Sequence, residues 1–365
     1  MTDAPEYRAP DFSRAPFANA TLARFEPAPA DGVLPEGFFT TSNLPTYVRL
    51  ERGWVMPEHP RMDCAIVLRP GDRLETVEPR RVRRGDLVAM GEAEDGSAGI
   101  VVHAEGFLGG SHGPNEFRFM STAVSRERPV NYEELAQRLV DERDEAGYLV
   151  WVLGPALVHA RARTDFEWFI QHGFVQAVLA GNAVAVHDIE AAIYGTTLGM
   201  DSSGCATALG HGLHMRAINK VRAAGSIERA VEMGVVRSGI MHALVTHGIP
   251  YVLAGSIRDD GPLPGVITDA LEAQDRMREY TAQATGAIFV ATALHAIAVG
   301  NLLPAFHTRR GGVPRPLMTI CCDQTEFVVN KLKDRGTHQA YGVVTNAQDF
   351  ITVLRLHVEQ CLRSR

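Results

Sequence analysis

A surplus of positive charge is missing from this 365-residue chain: 36 Lys and Arg stand against 43 Asp and Glu, for a net charge of −7. With the arginines scattered, no basic face offers itself to nucleic acid or to an anionic membrane, so neither is expected as a partner. Cysteines are few. Five of them, irregularly spaced, exclude a disulfide framework and fit a reducing compartment, for which the cytoplasm is the expectation. Residues 1–24 contain three prolines and charges of both signs but no apolar signal-peptide core, and they read as a flexible N-terminal arm. One uncharged stretch, the 21 residues from Gly286 to Phe306, is long enough to span a bilayer. It is interrupted by His295, Asn301 and Pro304 and lies within an alternation of strand-like and helix-like segments, so it reads as a buried strand and short helix rather than a membrane span.

What the chain does have is apolar residues, 45% of the total, enough to bury the cores of two domains. Residues 25–130 show short extended runs, such as Thr46–Leu50, Cys64–Leu68 and Gly99–Val102, separated by Pro and Gly clusters; this predicts a β-rich domain. Residues 131–147 hold a charged helical connector, Tyr132 to Asp144, with Leu135 and Leu139 four apart. From 148 to 365 short apolar runs alternate with amphipathic segments, predicting an α/β domain with a parallel sheet covered by helices on both faces.

Several of these runs end where a nucleotide would bind, at the carboxyl edge of such a sheet. Ala180-Gly181-Asn182-Ala183 follows one strand and opens the helix that carries His187, Asp188 and Glu190. There Gly181 either admits a ligand to the backbone or is simply a turn with Asn182 as cap. Ala254-Gly255-Ser256 ends another strand, ahead of Asp259, Asp260 and a rigid Gly261-Pro262-Leu263-Pro264 loop. The G-x-G-x-x-G fingerprint is absent, since the opening strand runs into Gly154-Pro155-Ala156-Leu157. Asp323 ends the strand-like run Leu317–Cys322. A carboxylate there accepts both ribose hydroxyls and repels a 2′-phosphate, favouring NAD over NADP; it equally suits a cap for the helix starting near Glu326, and both roles are compatible. His295 could pack on a nicotinamide, shuttle a proton, or be a satisfied core histidine. Cys205, His211 and His214 match no zinc spacing, and no metal is expected. In the first domain Arg61-Met62-Asp63-Cys64 opens a strand, and Arg49 lies in the run before it. An arginine could clamp a carboxylate and Asp63 could exchange a proton with an amine, while Cys64 reads as a pocket wall or a core residue.

Seven stretches, Ala28–Pro35, Thr41–Arg49, Met62–Val67, Leu179–Glu190, His214–Asn219, Leu253–Thr268 and Ile297–Pro304, resemble the archaeal and cyanobacterial ornithine cyclodeaminase family, also labelled the LOR/SDH bifunctional-enzyme domain. The resemblance implies an NAD-dependent enzyme whose C-terminal half is Rossmann-like, of the deoxyhypusine synthase type. It implies that the nucleotide is held at Gly181, Asn182, Ala183, Asp260, Ala293, Leu294, His295, Ala296, Asp323, Thr345 and Asn346, with Arg49, Asp63 and Cys64 as catalytic candidates. The implied reaction moves hydride from the α-carbon of ornithine to NAD. The side-chain amine then attacks the imine, ammonia leaves, and the hydride returns to give proline.

Two departures from the family pattern concern the substrate. A domain of about a hundred residues usually precedes the Ala28–Pro35 motif, and here 27 residues do, so that domain is expected to be lacking. The family's Gly-His-x-Gly-Val-Arg-Val segment is replaced by Met90–Ser97, which opens the way to a related amino acid or a biosynthetic intermediate. The expected partner is a small amino acid, with a homo-oligomer as the default assembly. Two alternatives stand beside the cyclodeaminase: a net NAD-dependent amino-acid dehydrogenase or opine-type reductase, and a non-catalytic NAD-binding regulator.

Overall fold

The computed structural model describes residues 7–42, 44–103, 105–106, 130–201, 203–207, 210–259, 261–304, 306–308, 314–326, 329–330 and 339–365. They fall into two compact units. The first lies within residues 1–124 together with 303–317 and 334–339, and the second within 125–302, 318–333 and 340–365. The sequence reading placed the change of domain at the 131–147 connector. In the structure this connector is a helix of the second unit, and the chain also returns to the first unit at 303–317.

The first unit contains β1 (Arg24–Pro27), β2 (Thr46–Leu50), β3 (Gly53–Val55), β4 (Ala65–Arg69), β5 (Arg73–Val77), β6 (Leu87–Met90) and β7 (Ile100–Val102). Two antiparallel sheets result, in the orders β1-β6-β4-β5 and β3-β2-β7. Side chains alternate across a strand, and β4 uses both of its faces. Ile66 joins Phe39, Val48, Leu50 and Ile100 in one core, while Ala65 and Val67 join Ala28, Val77 and Val88 in another. The described part of the N-terminal segment is anchored by rings: Phe12 stacks on Trp54 at 5.3 Å between centroids and meets Tyr47 edge-on, and Phe17 meets Trp54 edge-on. Gly99 lets this segment pass, because a β-carbon there would lie 2.4 Å from the Ala23 amide nitrogen.

The second unit opens with α1 (Tyr132–Asp144), capped by Asn131, and continues through β8 (Leu149–Leu153), α2 (Ala156–His159), α3 (Arg163–Gln171), β9 (Ala177–Gly181) and α4 (Asn182–Tyr194). Next come α5 (Leu213–Ala224), α6 (Ile227–Glu232), α7 (Ile240–Thr246), β10 (Tyr251–Ala254), α8 (Ala270–Thr281), β11 (Gly286–Val290) and α9 (Leu294–Leu302). A short antiparallel pair, β12 (Phe306–Thr308) and β13 (Pro314–Pro316), groups with the first unit before β14 (Met318–Asp323), β15 (Gln339–Val344) and α10 (Ala347–Arg363) complete the second.

Six strands form one sheet in the order β10-β9-β8-β11-β14-β15. The pairs β10–β9, β9–β8, β8–β11 and β11–β14 are parallel. Counted within the sheet this is the order 3-2-1-4-5-6 of the doubly wound Rossmann fold, whose direction of winding reverses between β8 and β11. Both faces are buried, which is why β8 and β11 read as unbroken apolar runs. Leu149, Trp151 and Leu153 enter the main core with side chains from α1, α3, α4, α7 and α10. Val150, Val152, Ala287 and Phe289 are equally buried on the other face, where α8 and α9 pack together. The uncharged stretch from Gly286 onward is therefore β11, a turn and α9. No helix among the described residues is long and apolar enough to cross a membrane.

Candidate active site

The carboxyl ends of β9, β8, β11, β14 and β15 line one edge that is about 19 Å wide at ordinary strand spacing. An open α/β sheet takes its ligand at this edge, beside the reversal point. At that point β8 and β11 nearly touch. A β-carbon on Gly154 would fall 1.8 Å from the Ala291 carbonyl oxygen, and the Gly154 amide donates to the Val290 carbonyl at 2.8 Å. Ala291 itself is held at φ +54°, an uncommon conformation for a residue with a side chain, and its amide is tied to the Cys322 carbonyl at 2.9 Å.

The sequence-predicted residues are distributed along this edge. Gly181 ends β9 and Asn182 begins α4; the buried Asn182 side chain accepts a hydrogen bond from the Leu263 amide at 3.1 Å and so fastens the Pro-rich loop to the helix. Ala183 is half-buried behind it. Ala293 is exposed at the start of α9, and Leu294, His295 and Ala296 form its first turn. Asp323 is half-buried, and its Oδ1 accepts from the Thr325 amide and hydroxyl, both at 3.0 Å, a local turn ahead of Glu326. Its Oδ2 makes no bond among the described residues. The Thr345 amide donates to the Asp323 carbonyl at 3.1 Å, and Asn346 caps α10 by accepting from the Asp349 amide at 2.8 Å. Asp260 lies outside the described residues. Its neighbour Asp259 accepts from the Ser256 amide at 2.8 Å and acts electrostatically on His295. Burial lowers the pKa of His295, with Asp259 pulling the other way, and the ring is held against Gly181.

In the first unit Asp63 is exposed, with a left-handed backbone at φ +59°, and precedes buried Cys64 at the start of β4. The Cys64 sulfur accepts from Arg61 Nε at 3.2 Å, while the same guanidinium pairs with Glu78 at 3.1 Å. Arg49 projects from β2 in the other sheet, with its guanidinium 5.9 Å from the Trp54 ring centroid. Asp63 and Cys64 are thus adjacent, and Arg49 stands on a separate element.

Sequence reasoning passed over a second set of buried polar groups, on α4 and α2. Asp188 is fully buried and accepts from Arg163 Nε at 2.7 Å and from the amides of Ile240 and Met241 at 3.0 and 2.8 Å, capping α7. Glu190, also fully buried, binds His187 Nδ1, the Thr196 hydroxyl and the amides of Leu198 and Gly199. Burial alone raises the pKa of Glu190, but those bonds outweigh it and hold the carboxylate below its ordinary value. The available signal was three ionisable residues, His187, Asp188 and Glu190, on a helix otherwise apolar all round. His159 packs on His187 with centroids 4.6 Å apart, and its Nδ1 is buried without a partner among the described residues. Among the described residues no group of three or more His, Cys, Asp or Glu could hold a metal ion.

A pH prediction follows from His159. Burial, reinforced by His187, lowers its pKa from 6.5 to about 4. Between those values the unfolded chain binds more protons than the folded one, so stability is complete above pH 6.5 and is lost as the pH falls toward 4. The full shift corresponds to about 3 kcal/mol, and solvent screening at this half-buried ring reduces that to about 1–2 kcal/mol. Urea unfolding at pH 7.5 and pH 5 is expected to show a smaller loss for His159→Gln than for the unaltered protein. An identical loss in both would refute the assignment.

Compared with known proteins, residues 133–354 match the family described as arginine dihydrolase ArgZ-like, C-terminal, Rossmann fold, and residues 45–133 match the first region of the same C-terminal part. The chain belongs to this family. It is 44% identical to the ornithine cyclodeaminase of Methanopyrus kandleri over 336 residues, covering 91% of this chain and 77% of that protein. It is 38% identical to the bifunctional arginine dihydrolase/ornithine cyclodeaminase AgrE of a Nostoc species, covering 93% of this chain and 47% of AgrE. Among solved structures, a conserved putative LOR/SDH protein from Methanococcus maripaludis superposes with a TM-score of 0.83 at 39% identity, over 94% of this chain and 99% of that one. The ternary complex of AgrE with ornithine and NAD+ superposes with a TM-score of 0.61 at 34% identity, over 95% of this chain and 47% of that one.

Proposed function

We propose that this protein is an NAD-dependent deaminating cyclase that converts ornithine, or a related basic amino acid, to a cyclic product and ammonia. The observation that carries the reading is the 3-2-1-4-5-6 sheet with its carboxyl edge kept low by Gly154, Gly181, Ala291 and Ala293, in a chain whose relatives are named ornithine cyclodeaminases.

The edge suits a dinucleotide. Small residues let backbone amides approach a pyrophosphate, the N-terminus of α4 has no side-chain cap, and Asp323 keeps Oδ2 available for the ribose hydroxyls. Gly181, Asn182, Ala183, Asp260, Ala293, Leu294, His295, Ala296, Asp323, Thr345 and Asn346 would hold NAD. When bound, it would supply a hydride acceptor and donor at the α-carbon. Arg49 would clamp the substrate carboxylate, Asp63 would exchange protons with an amine, and Cys64 would wall the pocket. A cytoplasmic homo-oligomer completes the reading; none of the five cysteines, all among the described residues, is in a disulfide, in keeping with a reducing compartment.

Mass spectrometry of the purified protein, combined with an ammonia-release screen across ornithine, lysine, arginine and diaminobutyrate, tests the proposal. The expected result is ammonia without accumulation of NADH. Lasting absorbance at 340 nm would instead identify a net dehydrogenase, and nucleotide binding with no ammonia from any substrate a regulatory protein. Within this reading Asp323→Ala is expected to weaken NAD binding about 10- to 100-fold, the loss of a charged hydrogen bond to the ribose. Calorimetric affinity within twofold of the unaltered protein would reject Asp323 as the ribose ligand.

A further inference from the structure

Gly181 has φ −92° and ψ 162°, ordinary extended backbone that any residue adopts. Its conformation therefore gives no reason for glycine; its neighbour does. A β-carbon at this position would lie 2.6 Å from Cε1, 3.2 Å from Nε2 and 3.6 Å from Nδ1 of His295, so the imidazole rests on the α-carbon of residue 181. The ring arrives from another strand. β9 and β11 are separated in the sheet by β8, and α9 spans that gap, packing on both β8 and β9. His295 thereby reaches over the carboxyl edge to the end of β9, one strand from the reversal between β8 and β11 beside which the fold places a ligand.

The loop after β10 brings the counter-charge. Asp259 is the charged group acting on the ring and favours its protonated form, whereas burial favours the neutral form and prevails. The Asp259 carboxylate is itself held in place by the Ser256 amide. A neutral imidazole with a fixed carboxylate at hand, in a ligand crevice, is the arrangement a proton acceptor needs.

We propose that His295 is the acid–base group of this site, accepting a proton from the α-ammonium of the bound amino acid while Asp259 steadies the imidazolium that forms. The assignment rests on the cyclodeaminase reading above. One ammonium N–H bond breaks and one imidazole N–H bond forms; the freed nitrogen lone pair would form the C=N bond as the α-C–H bond breaks, the hydrogen leaving as hydride to NAD, the two-electron acceptor of the cyclodeaminase reading. The proton is returned to a product amine, so none is gained or lost over a turnover. Gly181 is a positioning residue that makes room for the ring.

Three variants test this, with readouts besides turnover. His295→Gln is expected to release ammonia at least 100-fold more slowly even at NAD concentrations that calorimetry shows to saturate the variant. Its rate should rise about tenfold per pH unit in the alkaline range, as free amine substrate becomes available without a base. Asp259→Asn is expected to lower the titration midpoint of the His295 ring, followed by NMR in the nucleotide-free protein, and to slow ammonia release about tenfold. Gly181→Ala displaces the ring and is expected to reproduce the activity loss of His295→Gln with thermal stability little changed. Ammonia release by His295→Gln within threefold of normal would overturn the proposal. So would activity restored by saturating NAD, or no alkaline recovery of the saturated variant, which mark a cofactor-holding or a packing role only. If the unaltered protein releases no ammonia from any basic amino acid, the cyclodeaminase reading falls and takes this one with it. If it does release ammonia and His295→Gln does so equally well, only the role of His295 falls.

Discussion

Gly154→Ala is expected to destabilise the protein by at least about 3 kcal/mol and to abolish retention of nucleotide. Overpacking ordinarily costs about 1–3 kcal/mol because side chains yield. Here the obstacle is the Ala291 carbonyl oxygen, 1.8 Å from the added methyl position, with the Ala291 carbonyl carbon at 2.5 Å. Neither backbone is free to move. Gly154 is tied to Val290, Ala291 is tied to Cys322 at φ +54°, and β8 and β11 are paired in register along their whole length. Relief requires prising apart the two strands whose separation defines the crevice, so stability and ligand binding should fail together. Urea unfolding and mass spectrometry of the purified variant check this; a variant within about 1 kcal/mol of the unaltered protein that still carries nucleotide would refute it.

Asp188→Ala is expected to cost about 3–5 kcal/mol, the range for removing one member of a buried ion pair. Three groups lose their acceptor at once: the Arg163 guanidinium and the amides of Ile240 and Met241 at the start of α7. Water has little access, since the Arg163 side chain is 19% exposed and Asp188 not at all. Gly239 shows how tightly the cluster is built. At φ +101° it adopts a backbone that favours glycine, and a β-carbon there would lie 2.1 Å from Arg163 Nη2 and 2.7 Å from Asp188 Oδ1. The coupling is directly testable, because Arg163→Met placed on top of Asp188→Ala removes the stranded charge and should recover part of the loss. Equal stability of the single and double variants would show that the stranded Arg163 charge accounts for none of the loss.

Much of the α/β half was legible because its physics is local. Strands buried on both faces must be apolar throughout, as Leu149–Leu153 and Gly286–Val290 are. Helix ends must satisfy their amides, as Asn131, Ser226, Asp269 and Asn346 do. The helix from Tyr132 to Asp144 has the limits its pattern predicts. Much of the candidate site was not legible. Gly181 reads as a turn until His295 is seen lying on it, and Gly154 reads as a missing fingerprint until Ala291 is found against it. Asp188 and Glu190 read only as residues of a helix, with nothing in the pattern to say that both are fully buried. The hairpin β12–β13 gave no sign that residues 303–317 group with the first unit.

The sequence by itself determined the kind of each element, the places where chains of apolar residues stop, and the family to which the chain belongs. Those properties depend on neighbours a few residues apart, through periodicity, capping and turn chemistry. Only the tertiary structure decided the order of the strands, the reversal between β8 and β11 and the meeting of Gly181, His295 and Asp259. Such contacts join residues far apart in the chain, and their energy comes from close packing and shared burial, which no local pattern encodes.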